Sequence, residues 1–157
     1  ESLNVSCYIF RLPGIVGYGS HSNLVTRIFK LLASKDSEDS ISLMNPNSLF
    51  NNVVDINTLL SYFTSIARRS TRSRSFINTI LSSSCPCQFK DLPRIIASTI
   101  SKQENLYRIN WLDKTSHSFV IDASYQAKYD FLPLTTKDSI IQACYDIVSF
   151  EDLTISS

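Results

Sequence analysis

Glycine is scarce in this sequence: the 157 residues contain three, whereas an average protein uses about 7% glycine. All three lie in one short loop, at Gly14, Gly17 and Gly19, so the backbone freedom that glycine provides is concentrated there. Such a loop indicates either a close approach of a ligand to the backbone or a tight turn without a ligand.

The sequence also lacks a dominant charge and a long apolar run. Its 15 basic and 14 acidic residues give a formal net charge of +1, which excludes an overall field that would attract nucleic acid or a membrane surface. No apolar run reaches the about 20 residues of a membrane-spanning helix. With 43% hydrophobic and 18% charged residues, the composition predicts an ordinary soluble globular protein of one domain.

Metal-binding motifs are absent as well. The four cysteines are Cys7, Cys85, Cys87 and Cys144. The one-residue spacing of Cys85 and Cys87 is shorter than that of zinc knuckles and redox motifs, and neither histidine lies near it in sequence. We therefore predict no metal site and reduced thiols, which are typical of a cytoplasmic protein.

Strand-like and helix-like segments alternate along the chain, which predicts an α/β fold. Residues 5–12 form an apolar run rich in β-formers and predict a buried, central, parallel strand. Further extended segments are predicted at residues 41–44, 50–56, 76–81, 106–112 and 119–121. Helices are predicted to begin after caps at Ser22 or Asn23, Asn57 or Thr58, Asp91, and Thr135 or Thr136.

The sequence contains no complete catalytic constellation. The glycine loop follows a strand and precedes a helix, a context in which backbone N–H groups near Asn23 and Leu24 can bind an anion. Its spacing differs from that of the dinucleotide fingerprint, however. A helix cap that faces solvent explains the same pattern, and both interpretations stay open.

Two polar segments allow alternative interpretations. Residues 67–75 contain Arg68, Arg69, Arg72 and Arg74, and arginine is suited to phosphate contacts. No aromatic residue is interleaved for base stacking, so a solvated linker is favoured and nucleic acid is not expected as a partner. His117 is either a surface-loop residue or a polar substrate contact.

A family resemblance emerges from the order of these segments. Residues 10–19 (F-R-L-P-G-I-V-G-Y-G) resemble the strand and loop that follow the catalytic-tyrosine helix in extended short-chain dehydrogenases/reductases. This is the family of NAD-dependent epimerases and dehydratases that act on nucleotide sugars. Residues 22–24, 50–59, 119–122 and 131–135 resemble later segments of the same family in the same order.

The resemblance implies the last strands of a Rossmann-like parallel sheet plus a small α/β substrate-binding subdomain. Family members carry a glycine-rich dinucleotide motif and a Tyr-x-x-x-Lys pair before the first strand seen here, and neither occurs in this sequence. Residues 1–157 are therefore expected to be the C-terminal substrate-binding part, without the N-terminal cofactor-binding part. No catalytic residue is assigned, and the isolated chain is expected to be inactive.

The resemblance also implies binding residues. NAD or NADP would meet the chain at Leu12 and Pro13. The positions implied for the nucleotide-sugar substrate are Gly14, Asn23, Leu24, Ser42, Met44, Asn51 and His117. Several positions depart from the family, since Gly14 replaces a common Asn, Asn51 an Arg, Asp55 a His and Thr58 an Asp.

Two functions remain open at this stage. The chain is either the substrate-recognition part of a nucleotide-sugar epimerase, dehydratase or reductase, or a non-catalytic relative that binds a nucleotide or a protein partner. The family implies no membrane partner and allows a homodimeric parent, but its dimer-forming helices mostly precede the first strand seen here, so the oligomeric state stays open.

Overall fold

The computed structural model describes residues 6–20, 22–34, 38–68, 76–112, 114, 120–124 and 126–155. Strands and helices alternate, so the predicted α/β class is confirmed. The strands are β1 Cys7–Arg11, β2 Gly14–Val16, β3 Ile41–Leu43, β4 Leu49–Phe50, β5 Val53–Asp55, β6 Phe76–Ile80, β7 Cys87–Gln88 and β8 Ile109–Trp111. The helices are α1 Leu24–Ala33, α2 Ile56–Arg68, α3 Asp91–Thr99 and α4 Thr136–Ile155, with 3₁₀ helices at Gln103–Arg108 and Gln126–Tyr129.

In the described part of the chain the strands pair two by two. Strands β1 and β6 are parallel, with Cys7 opposite Phe76 and Arg11 opposite Ile80. The pairs β2–β5 and β3–β8 are also parallel, whereas β4 and β7 are antiparallel. A parallel pair requires a crossover connection, and α2 lies within the one that joins β1 to β6. The carboxyl ends of β1 and β6 therefore lie at the same edge.

The apolar faces of the helices form the core. In α1, Val25, Ile28, Phe29 and Leu32 are buried at helical spacing and pack in one cluster with buried residues of α3 and α4. A second cluster joins Leu59 and Tyr62 of α2 to residues next to β1 and β6. One face of each of the four helices is thus part of the core. Among the described residues, no helix is long and apolar enough to cross a membrane.

Several predictions of local structure were wrong. The predicted strand at residues 106–112 begins at Ile109, because the preceding residues form a 3₁₀ helix. Asp91 is the first residue of α3 and not its cap, since Lys90 occupies the cap position with a helical backbone and no side-chain bond. In the predicted strand at residues 119–121, Val120 and Ile121 are not in a strand, and Phe119 lies outside the described residues.

Strand β1 was predicted to be buried, but one of its faces is open. Its side chains alternate, so Cys7, Ile9 and Arg11 are exposed. On the neighbouring strand Phe76 is 69% exposed, and it lies opposite Cys7. The opposite face packs on α2 through Phe10, whose ring lies 5.3 Å from that of Phe63. The β1–β6 pair therefore covers a core on one side and presents apolar side chains on the other.

This open face is expected to make the isolated 157-residue chain self-associate, because exposed apolar strands are sites of strand pairing and aggregation. Replacing Phe76 by Ser should shift the sedimentation profile towards monomer. Leu132, which is 80% exposed elsewhere on the surface, provides the matched control, and Leu132→Ser should leave the profile unchanged. Equal effects of the two substitutions would contradict a specific role of the β1–β6 face.

Candidate functional site

The carboxyl end of the β1–β6 pair positions the residues that the resemblance assigns to the cofactor. The N–H of Leu81 donates to the carbonyl of Arg11 over 3.0 Å, which extends the pairing to the last residue of β1. Leu12 and Pro13 follow directly, with Leu12 exposed and Pro13 half-buried. In open α/β sheets, ligands bind beyond the carboxyl ends of the strands, so this edge is the candidate functional site.

Strand β2 brings Gly14, one of the predicted substrate residues, to the same edge. Gly14 opens the strand, and its N–H donates to the carbonyl of Asn52 over 3.1 Å. A Cβ at Gly14 would lie 3.3 Å from that carbonyl oxygen, so the close approach of the two backbones favours glycine there. The predicted loop around Gly14 is thus partly a strand, and the glycines with positive φ are Gly17 and Gly19.

Asn23 ties the start of α1 to β2. Its side-chain oxygen accepts the N–H of Thr26 over 2.9 Å, which confirms the predicted helix cap. Its Nδ2 donates to the carbonyl of Ile15 over 2.7 Å. Leu24 is the first residue of the helix and is half-buried. Gly14, Asn23 and Leu24 are therefore held close together by β2.

Ser42 lies in β3 of the β3–β8 pair, and Met44 directly follows the last residue of that strand. Both are exposed, with Met44 at 40%, whereas the intervening Leu43 is buried. The two predicted substrate contacts are therefore both open to solvent. Leu43 lies opposite Trp111, whose ring packs edge-on against Phe89 at 6.0 Å. The β3–β8 pair thus ends in an aromatic contact between Trp111 and Phe89.

Asn51 is 1% exposed, and its amide group bonds to the backbone of distant segments. Its Oδ1 accepts the N–H of Ile121 over 2.9 Å, while its Nδ2 donates to the carbonyl of Ile121 over 2.8 Å and to that of Ser83 over 3.3 Å. These bonds give Asn51 a structural role. Its assignment to the substrate stays a prediction.

A buried polar cluster next to Asn51 was not predicted. Ser82, Ser83, Gln126 and Thr136 are fully buried or nearly so. The hydroxyl of Ser83 donates to the carbonyl of Asn51 over 3.2 Å and lies 2.9 Å from that of Thr136. The side chain of Gln126 accepts the N–H of Ser82 and donates to its hydroxyl. The run of three serines after a predicted strand was the only sequence signal, and it resembles an ordinary loop.

Asp55 caps α2 from within the core. Its Oδ1 accepts the N–H of Thr58 over 2.8 Å, so the predicted caps Asn57 and Thr58 were wrong. The helix begins at Ile56, because a carboxylate at the end of β5 already satisfies the first-turn donor. Asp55 is 1% exposed, and among the described residues its Oδ2 has no hydrogen-bond partner.

Some predicted residues cannot be placed. His117 lies outside the described residues, as do Arg69, Arg72 and Arg74 of the basic segment. Arg68 is the last residue of α2 and is exposed. The roles of His117 and of the basic segment therefore stay predictions.

The described thiols differ in their environment. Burial raises the pKa of Cys144 to about 12, and burial together with the nearby carboxylate of Asp91 raises the pKa of Cys87. Cys7 and Cys85 are exposed. Among the described residues, no group of three or more His, Cys, Asp or Glu side chains is arranged to hold a metal ion.

Cys144 should therefore resist alkylation in the folded protein at pH 8.5, while Cys7 and Cys85 react. The thiol of Cys144 ionises more easily in the unfolded chain than in the folded protein. The protonated thiol therefore contributes its full share to the free energy of unfolding below about pH 8.5, and this contribution is lost as the pH rises towards 12. Mass-spectrometric mapping of iodoacetamide adducts checks the first expectation. Labelling of Cys144 at the rate of Cys85 without denaturant would contradict it.

Comparison by sequence gives no result, since no protein-family profile and no curated protein matches the chain. Comparison by structure finds similar solved structures. A dTDP-glucose 4,6-dehydratase from Bacillus anthracis, crystallised with NAD, superimposes with a TM-score of 0.62 over 92% of this chain at 10% identity. A UDP-galactose 4-epimerase gives 0.61 over 92% at 9% identity. A UDP-glucose 4-epimerase from Thermotoga maritima, solved with UDP-glucose, gives 0.60 over 91% at 7% identity.

These similarities show the fold. The short parallel strand pairs with their helices are consistent with part of the Rossmann-like fold of the similar structures, as the family resemblance implied. The chain spans 45% of the first of these structures and 46% of the other two. It therefore corresponds to less than half of each.

Proposed function

We propose that this chain is the substrate-recognition part of an NAD(P)-dependent enzyme that epimerises, dehydrates or reduces nucleotide-linked sugars. The observation that carries the proposal is the superposition of 92% of the chain on a dTDP-glucose 4,6-dehydratase. The placement of Leu12 and Pro13 at the carboxyl end of β1–β6, with Gly14 and Asn23 beside them, supports it.

The residues at this edge suit an extended nucleotide ligand. The exposed side chain of Leu12 and the proline after it offer an apolar surface to a nicotinamide ring. The first turn of α1, which follows Asn23, suits a diphosphate, since helix N-termini favour anions. Ser42 and Met44 would contact the nucleobase, with Asn51 and His117 as further proposed contacts. NAD or NADP would accept and return a hydride, and the proton-transfer groups would come from residues outside this chain.

The test is calorimetric titration of UDP-glucose and dTDP-glucose into the protein made from the complete reading frame, followed by an assay for turnover with NAD and NADP. Met44→Asp should weaken nucleotide-sugar binding about tenfold, because it places a carboxylate beside an anionic ligand. Leu60→Asp, at an exposed position on α2, is the matched control and should have no effect. The proposal would be overturned if neither UDP-glucose nor dTDP-glucose bound to the protein.

A second candidate is a non-catalytic relative that binds a nucleotide. The bonds of Asn51 favour it, since the residue at the family's arginine position is engaged by Ile121 and carries no charge. Gly14 likewise lacks the side-chain amide that is common at this position in the family, and Thr58 lacks the carboxylate. Binding of a nucleotide sugar without turnover under any cofactor would support this candidate, whereas turnover would eliminate it.

A further inference from the structure

A groove lies between α3 and the start of α4, on a part of the surface that the proposed function does not use. Its volume is about 420 Å³, which falls in the usual range for small-molecule sites. None of the predicted cofactor or substrate residues is among those that line it. Any ligand of this groove would therefore bind separately from the nucleotide.

The groove carries two cations on its rim. Arg94 of α3 and Lys137 of the first turn of α4 both line it, and both are exposed. Arg94 lies 3.8 Å from the carboxylate of Asp91, but an exposed pair at this distance contributes little and leaves the guanidinium able to bind another anion. Lys137 forms no ion pair with any described residue. The two cations exceed the one carboxylate of the groove, so its local charge is positive.

Apolar and hydroxyl groups complete the lining. Ile95 and Ile141 lie on the two facing helices, each one turn from other lining residues, and both are half-buried. Ser98 adds an exposed hydroxyl on α3. Cys87 contributes a half-buried thiol, whose raised pKa keeps it uncharged at neutral pH. A ligand that fits these groups has an anionic head and an apolar body.

We propose that this groove binds a small organic anion, with its carboxylate or phosphate group between Arg94 and Lys137 and its apolar body against Ile95 and Ile141. Arginine and lysine both donate hydrogen bonds to carboxylate and phosphate oxygens. Such bonds are stronger than those between neutral groups, because donor and acceptor are both charged. The apolar walls give the site a preference for anions that carry a hydrocarbon body over inorganic ions.

Cys87 provides the measurement, because a ligand in the groove should shield its thiol. The full chain is treated with iodoacetamide in the presence of hexyl phosphate, hexanoate or 1-hexanol, and adducts are mapped by mass spectrometry. We expect hexyl phosphate, hexanoate or both to slow alkylation of Cys87 and not of the exposed Cys85, with hexanol at least about tenfold less effective. Comparing the protection by hexyl phosphate with that by hexanoate shows whether the groove prefers a phosphate or a carboxylate head group.

The double variant Arg94→Gln, Lys137→Gln should weaken the protection about tenfold or more. Both side chains are exposed, so the fold should tolerate the change. The matched control is the double variant Arg27→Gln, Lys30→Gln on the exposed side of α1. In this variant the ligand should protect Cys87 as well as it does in the wild type. Equal protection by hexanol, no protection by either anion, or unchanged protection in the double variant would each overturn the proposal.

Discussion

Replacing Asn51 by Ala is expected to lower the free energy of unfolding by about 3 kcal/mol, because the change leaves buried backbone groups without partners. The side chain accepts the N–H of Ile121 and donates to its carbonyl, so it pairs with this residue as a neighbouring strand would. It also reaches the carbonyl of Ser83, which is fully buried. The side chain of alanine has neither a donor nor an acceptor to replace these bonds.

Urea denaturation of the two proteins, followed by circular dichroism, measures the difference. Asn57→Ala is the matched control, since Asn57 is exposed and bonds to the carboxylate of Asp146 over 2.8 Å. An exposed side-chain bond of this kind contributes about 0.5 kcal/mol or less. Similar losses in the two variants would show that the backbone of Ile121 finds other partners, and would leave Asn51 free for the substrate.

Features that depend on local chemistry were predictable from the sequence. The cap at Asn23 follows from an amide side chain just before an apolar helical stripe, and the structure shows it. The start of α4 is similar, because Thr135 accepts the N–H of Asp138 and donates to its carboxylate. These interactions join residues three apart, so a short window of sequence contains both partners.

Features that depend on distant partners were not predictable. Asn51 and Ile121 are 70 residues apart, and Ser82 and Gln126 are 44 apart. In each pair a polar side chain, that of Asn51 or Gln126, bonds to the backbone of a residue that no local pattern connects to it. Only the folded chain brings the partners together, and burial then turns a polar side chain into a structural one. Candidate substrate residues and structural residues therefore look the same in the sequence.

The burial of β1 was mispredicted for a related reason. A continuous apolar run is typical of a strand covered on both faces, and residues 5–12 form such a run. In the structure α2 covers only one face, through Phe10, and leaves Ile9 at 42% exposure. The sequence pattern of a strand indicates which of its faces are apolar, but not which segment of the chain covers each face.

Replacing Gly17 by Ala is also expected to cost about 3 kcal/mol of stability, for two independent reasons. Its φ of +121° is a backbone conformation that residues with a Cβ rarely adopt, and such strain costs about 1–3 kcal/mol. A Cβ there would also lie 2.8 Å from Cγ2 of Ile56, and overpacking of a buried site costs about 1–3 kcal/mol more.

The surroundings of Gly17 prevent an easy relaxation. Ile56 is β-branched and is the first residue of α2, so the rotation about χ1 that would move its Cγ2 away is restricted. On the other side the new Cβ would lie 3.4 Å from the carboxylate of Asp146, which is held by Asn57. Tyr18, the next residue, stacks on Phe150 of α4 with 3.5 Å between the ring centroids. The loop is thus fixed between the two helices.

Gly19 provides the matched control for this substitution. Its φ is +85°, but a Cβ there would meet no atom within 4 Å. Gly19→Ala should therefore cost only the backbone strain, about 1 kcal/mol, and denaturant unfolding of both variants measures the difference. Since the loop joins Gly14 to Asn23, a loss near 3 kcal/mol for Gly17→Ala would show that packing against α2 dictates this glycine. Equal losses in the two variants would contradict that and would instead favour a loop that is free to move towards a ligand.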